Sequence, residues 1–261
     1  MKMNMGYSLA VCGLVWTSIA SAQTEPTVKP VVTTEPVTAT QSASAVEKKS
    51  SGWYVDVSPY GLAINQKGDV TVKGRKAHLD VSTEEILDHL DAGVMGAMRV
   101  GRGNWFVFTE VMYMKLEADA AHKIEIDFEQ LWVSSGLGYT VNEHLELFTG
   151  ANYNQLDGEI SGGALLDRSD TKRWVDPFIG ADTSFPLTKT LSAHARTDLG
   201  GFGVGSDLMY QAFPYLNWQF IDWCSLQAGY RWLYMDYEDE SEDFEYDILS
   251  EGVQVGLTGH F

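Results

Sequence analysis

The last ten residues, GVQVGLTGHF, put Val253, Val255, Leu257, Gly259 and Phe261 on one side of an extended chain and Gln254, Gly256, Thr258 and His260 on the other. Period-two alternation of this kind is a strand signal, since successive Cβ atoms of a strand point to opposite faces. The same alternation recurs in ten segments, near 53–64, 91–101, 104–117, 124–141, 144–156, 173–185, 190–200, 207–220, 224–237 and 245–261. Most are ten residues or longer, whereas soluble sheets favour about five to six. A tilted strand of about 9 to 11 residues crosses a bilayer.

The connections alternate as well. Those at 101–104, 141–144, 185–190 and 221–223 are short, and those at 65–90, 118–123, 157–172, 200–206 and 238–244 are on the whole longer. Short turns on one side, longer loops on the other and an even strand count describe an all-β, up-and-down antiparallel barrel of an outer membrane. Ten strands are expected, within a range of about eight to twelve set by uncertain boundaries.

In such a barrel the apolar face meets lipid and the polar face lines the interior. Trp53, Trp105, Tyr139, Trp218, Phe220 and Phe261 lie on apolar faces near the short-turn ends, and Tyr113, Trp232 and Tyr234 lie near the long-loop ends. Two bands of amphipathic rings match the two membrane interfaces. The polar faces carry Asp56, Arg99, Glu110, Glu146, Asp176, Asp182, His194, Arg196, Asp198 and Arg231. Facing lipid they would be very costly; inside the barrel they can pair. The segment LQAGYRWLYMDYED is then one membrane pass, with Arg231 pointing inward and the turn to acid at Asp236 marking the outer exit.

The amino terminus carries Lys2, an apolar run from Tyr7 to Ile19 and then Ala20-Ser21-Ala22. These are the parts of a secretory signal peptide cleaved after Ala22, and the run is shorter than the roughly 20 residues of a spanning helix. Residues 23–51 are rich in Thr, Pro, Val, Ser and Ala without an aromatic residue, which predicts a flexible linker. Residues 52–261 form the barrel domain. Loss of residues 1–22 removes one lysine and no acid, so the net charge of −18 becomes −19. Such a surface repels nucleic acid. Cys224 alone remains and cannot form an internal disulfide.

The stretches WVDPFIGA, RTDLGGFGVGSD and AGYRWLYMDY, with DVTVKGRKAHLDVSTEEILDHLD and GNWFVFTEVMYMKLEADA, resemble an exported bacterial outer-membrane β-barrel family. Its members are mostly called only outer membrane protein. The likeness runs over roughly 53–261 and is most specific at Gly-Gly-Phe-Gly and Gly-Tyr-Arg. It implies a barrel and no reaction. The terminal Phe261 matches the C-terminal aromatic residue of barrels handled by the outer-membrane assembly machinery.

Other constellations carry less. Ser192, His194, Arg196 and Asp198 share one strand face, but neighbours on one face are about 6.5 to 7 Å apart at the backbone, which makes a nucleophile-to-base hydrogen bond hard to form from them alone. No enzyme is expected there; His194 and Arg196 are expected to neutralise acids on adjacent strands. Gly200, Gly201, Gly203 and Gly205 lack the following lysine and helix of a phosphate loop and fit a tight outer hairpin. Ser82-Thr83-Glu84-Glu85 is a capping box before a short helix. It follows DVTV and HLDV, a small hairpin, so the segment is either a lid over the barrel mouth or a locally folded surface loop. The acids from Glu238 to Asp243 lack the glycine and alternating ligands of a calcium site.

The expectation is therefore a monomeric barrel of the bacterial outer membrane, without cofactor or metal. Its partners are membrane lipid, lipopolysaccharide, the assembly machinery and periplasmic chaperones. Its role is structural or surface-interacting with a side-chain-filled lumen, or that of a narrow, porin-like channel preferring cations; an enzyme acting on lipids or peptides at the rim is a third alternative.

Overall fold

The structure, a computed structural model, describes residues 52–72, 75–120, 124–161 and 168–261. The export signal and linker expected over 1–51 lie outside the described residues.

The elements run β1 (Trp53–Val72), β2 (Arg75–Val81), α1 (Thr83–Asp88), β3 (Leu90–Arg102), β4 (Trp105–Ala120), β5 (Ile124–Asn142), β6 (Leu145–Ser161), β7 (Arg168–Pro186), β8 (Leu191–Gly201), β9 (Leu208–Ile221), β10 (Cys224–Asp239) and β11 (Phe244–His260). From β3 to β11 each strand pairs antiparallel with the next, and β1 joins β3 to β11, with Asp56 opposite His260 and Val72 opposite Phe244. Ten strands thus close into a ring, and β2, paired with β1 alone among the described residues, flanks it.

The faces are inverted relative to a soluble sheet. Val253, Val255 and Leu257 are 51%, 47% and 48% exposed, while their neighbours Gln254 and Thr258 are 6% and 3% exposed. The short turns hold Gly103–Asn104, Glu143–His144, 187–190 and Asp222–Trp223. Around that end Trp53, Trp105, Trp218, Phe220 and Phe261 stand exposed, joined by Phe185 and Trp223. Cys224 departs from the expected lipid-facing alternation: the register shifts between Cys224 and Ser225, and both side chains are buried.

Two features differ from the alternation pattern. The strands overrun the expected ends on the long-loop side, so most of 65–72, 75–81, 118–120, 157–161 and 168–172 is sheet rather than loop. Charged outward side chains there, such as Lys67, Asp69 and Asp157, interrupt the apolar pattern without ending the ladder. The interior is also not polar throughout. Its outer half packs Trp132, Trp174, Leu233, Met235, Phe244, Tyr246 and Ile248 into one buried cluster.

The segment expected as lid or local loop is part of the wall. β1 pairs with β3 only over Trp53–Pro59, and further out, from Gln66 to Val72, it pairs with β2 instead. The helix α1 fills the fork. Ser82 and Glu85 close its capping box, Thr83 donates to Asn65 Oδ1 at 2.8 Å, and Ile86 packs with Ile64 and Met114.

Two carboxyls hold this insert. Hydrogen bonds from His78 and Lys76 draw Asp69 below its ordinary range, and the Ser82 backbone and hydroxyl do the same to Glu85. A carboxylate whose folded pKa is depressed stabilises above its unfolded pKa of about 4 and loses that contribution as pH falls through the folded value. Amide protection factors over 76–88 are therefore expected to fall between about pH 5 and 3, while those of β5 and β6 hold. Equal loss in both regions would contradict this.

Candidate functional site: the barrel lumen

Three arginines project inward from β3, β8 and β10, and each is held by carboxylate and aromatic groups together. The Arg231 guanidinium donates to Glu110 Oε1 at 2.5 Å and to Tyr60 Oη at 3.2 Å. Its carbon stands 5.4 to 5.8 Å from the rings of Phe213, Tyr60 and Trp132. Arg196 donates to Asp198 Oδ2 at 3.1 Å and to Glu110 Oε2 at 3.4 Å, and lies 5.0 Å from the Phe148 ring. Arg99 grips Glu146 with two hydrogen bonds of 2.6 Å and lies 3.5 Å from the Phe106 ring. The bidentate fork is the geometry that favours guanidinium over ammonium at such a pair.

The placement of the sequence-predicted residues is uneven. Glu110, Arg196, Asp198 and Arg231 form one connected network, which Gln211 extends by donating to Asp198 at 2.7 Å. Arg99 and Glu146 form a separate pair. Asp56 binds His260 at 2.9 Å, and Asp182 binds His194 at 3.3 Å. Among the described residues Asp176 meets no arginine. It is fully buried and accepts from neutral donors: Ser206 N–H at 2.6 Å, Ser206 Oγ at 3.0 Å, Trp174 Nε1 at 3.0 Å and Asn154 at 2.9 Å. Gly205 permits this, because a Cβ there would lie 2.5 Å from Val175 O and 2.6 Å from Asp176 Oδ1. The glycine-rich turn, with Gly201 and Gly203 at positive φ, is thus tied into the mouth.

The sequence does not single out Tyr60, Trp132, Gln211 and Tyr215, and it places His260 on the polar face without assigning it to the charge network. Their inward parity was readable, but which strands face each other across the lumen is set by closure. Tyr60 and Glu110 are 50 residues apart and meet at 2.7 Å.

Between the short-turn side and Arg231 lies an open vestibule of about 290 Å³, lined among others by Asp56, Arg99, Glu146, Asp182, His194 and Arg196. Arg231 is its inner wall, and on the far side Arg231 also borders a small apolar cavity of about 30 Å³ with Met95, Met112, Met114 and Trp132.

At the vestibule rim the expected neutralising role of His194 takes a more specific form. Ser192 Oγ lies 2.9 Å from His194 Nε2, and the acid on Nδ1 is Asp182 of β7, not Asp198 of the same strand. Backbone spacing on β8 does not prevent the bond, since side-chain rotation closes the gap. Tyr215 stacks on the imidazole, centroids 4.7 Å apart, and donates to Asp182 Oδ2 at 3.0 Å.

No family model and no curated relative matches the chain. Solved structures do. The outer membrane protease OmpT from Escherichia coli superposes with a TM-score of 0.50 at 10% identity, over 81% of this chain and 98% of that one. The fold is that of a bacterial outer-membrane β-barrel. Ail, the attachment invasion locus protein of Yersinia pestis, matches at 13% identity and a TM-score of 0.38, over 80% of this chain and 99% of that one. At these identities the likeness concerns architecture alone.

Proposed function

We propose that the protein is an integral barrel of the bacterial outer membrane with a structural or surface-interaction role and a lumen filled by side chains. The observation that carries this reading is the layer at Arg231 and Glu110, each 2% exposed, beneath the buried cluster of the outer half. A ten-stranded barrel is little wider than the eight-stranded kind, whose interior side chains fill. Lipid and lipopolysaccharide are the partners of the apolar belts. The assembly machinery and periplasmic chaperones are those that an exported chain of this fold requires. The closed ring suits a monomer.

One feature favours a narrow cation-preferring channel instead: four carboxylates, Asp56, Glu110, Glu146 and Asp182, line the vestibule against three guanidinium groups. Planar-bilayer recording separates the two. The wild-type chain is expected to show no conductance, and the double variant Arg231→Ala with Glu110→Ala is expected to stay silent too, because the merged cavities still end at the buried cluster of Trp174, Phe244 and Tyr246. Cation-selective steps from the wild type would overturn the filled-lumen reading.

A further inference from the structure

We propose that Ser192, His194 and Asp182 form an acyl-transfer site at the short-turn mouth of the barrel, with Ser192 as nucleophile toward small carboxylic esters. Nothing in the barrel role above requires these three groups to be in line. With the Asp182 carboxylate at Nδ1, that nitrogen carries the imidazole proton, so Nε2 is left to accept from the Ser192 hydroxyl. That is the arrangement in which a serine is activated: base within hydrogen-bond reach of the nucleophile, and a third group fixing the base. Tyr215 adds a second restraint, stacking on the ring and hydrogen-bonding the acid.

The site opens on space. The His194 and Asp182 side chains retain 19% and 16% exposure and line the vestibule, and Ser192 is only partly buried. Asn217, directly across the β8–β9 ladder from Ser192, also lines the cavity and brings a side-chain amide beside the nucleophile, the donor type an oxyanion needs. Further in, Phe106, Phe108, Phe148 and Phe213 offer apolar wall to a short acyl group.

The chemistry balances without a cofactor. Ser192 Oγ bonds to the ester carbonyl carbon while its proton passes to His194 Nε2. Collapse of the tetrahedral adduct breaks the ester C–O bond, and the imidazolium returns the proton to the departing alcohol. Water then attacks the acyl-serine by the same route, giving a carboxylic acid and restoring Ser192.

The fold contains its own control. Ser225, His260 and Asp56 repeat the pattern, with Ser225 Oγ 3.0 Å from His260 Nε2 and His260 Nδ1 2.9 Å from Asp56, but Ser225 is 0% exposed. A reagent cannot reach it, so hydrogen bonding alone predicts two reactive serines and access predicts one.

The test uses the full chain folded in detergent micelles, with diisopropyl fluorophosphate as probe and adducts mapped by mass spectrometry. The expected result is an adduct on Ser192 and none on Ser225. The rate should fall about 10²- to 10⁴-fold in His194→Gln, the usual contribution of a general base, and fall also in Asp182→Asn. Hydrolysis of p-nitrophenyl butyrate should vanish in Ser192→Ala. Heat-modifiable electrophoretic mobility verifies the fold of each variant; should His194→Gln not fold, Asp182→Asn carries the comparison. An unlabelled Ser192 in folded wild-type protein overturns the proposal. So does labelling at an equal rate in a folded His194→Gln or Asp182→Asn variant, which would mark Ser192 as merely accessible.

Discussion

Arg231→Leu is expected to lower the folding free energy of the barrel by about 3 kcal/mol, the lower end of the range for breaking a buried ion pair. The charge left behind decides the size. Glu110 is 2% exposed, and without Arg231 it keeps, among the described residues, Tyr60 at 2.7 Å and the longer contact to Arg196 at 3.4 Å. A carboxylate so placed has lost its shortest charged partner while still being held from water. Removing both charges, Arg231→Leu with Glu110→Leu, should therefore cost less than the sum of the two single changes, because no unpaired ion remains. Urea titration of the protein folded into lipid vesicles, followed by tryptophan fluorescence, reads all four corners of the cycle. Additive free energies would show that Arg231 and Glu110 act independently and would sink the network.

The period-two alternation carries the fold because each inward or outward assignment repeats along a strand, and ten strands repeat it again. Strand number, the short-turn side and the capping box at Ser82 all follow from such local signals. What escaped is non-local. The sequence shows that Tyr60 and Glu110 both point inward, not that β1 and β4 bring them within hydrogen-bond reach. It shows Ser192 and His194 two residues apart, not that Asp182 arrives from β7 to orient the ring. The wall position of β2 and α1 escaped for the same reason: β1 changes partner at its midpoint, from β3 to β2, and no periodicity within β1 marks the exchange. Parity groups Asp176 with the other lumen acids, yet its donors are neutral and include the backbone amide of a turn that Gly205 lets approach.

Gly180→Val should be among the most damaging single changes in the barrel, although it adds only three carbons and suits strand propensity. A Cβ at Gly180 would lie 2.3 Å from Cε2 of the Phe148 ring and 2.4 Å from Asp198 Oδ1. Phe148 is fixed in turn by edge contacts with Phe108 and Phe178, centroids 5.5 Å and 6.3 Å away, and by the Arg196 guanidinium. Overfilling a packed interior costs about 1–3 kcal/mol, and here the upper end is expected, since displacing Asp198 also disturbs its bonds to Arg196 and Gln211. The companion change Gly61→Val separates sterics from backbone freedom. Gly61 lies on the outward face of β1, with nothing within 4 Å of its virtual Cβ, so valine there should leave stability unchanged or slightly raised. Phe148→Leu on the Gly180→Val background should recover part of the loss by shortening the ring that the new side chain strikes. If both valine variants unfold at the same urea concentration, the nesting of Phe148 over Gly180 contributes nothing, and the tolerance of β7 must be set by its ladder alone.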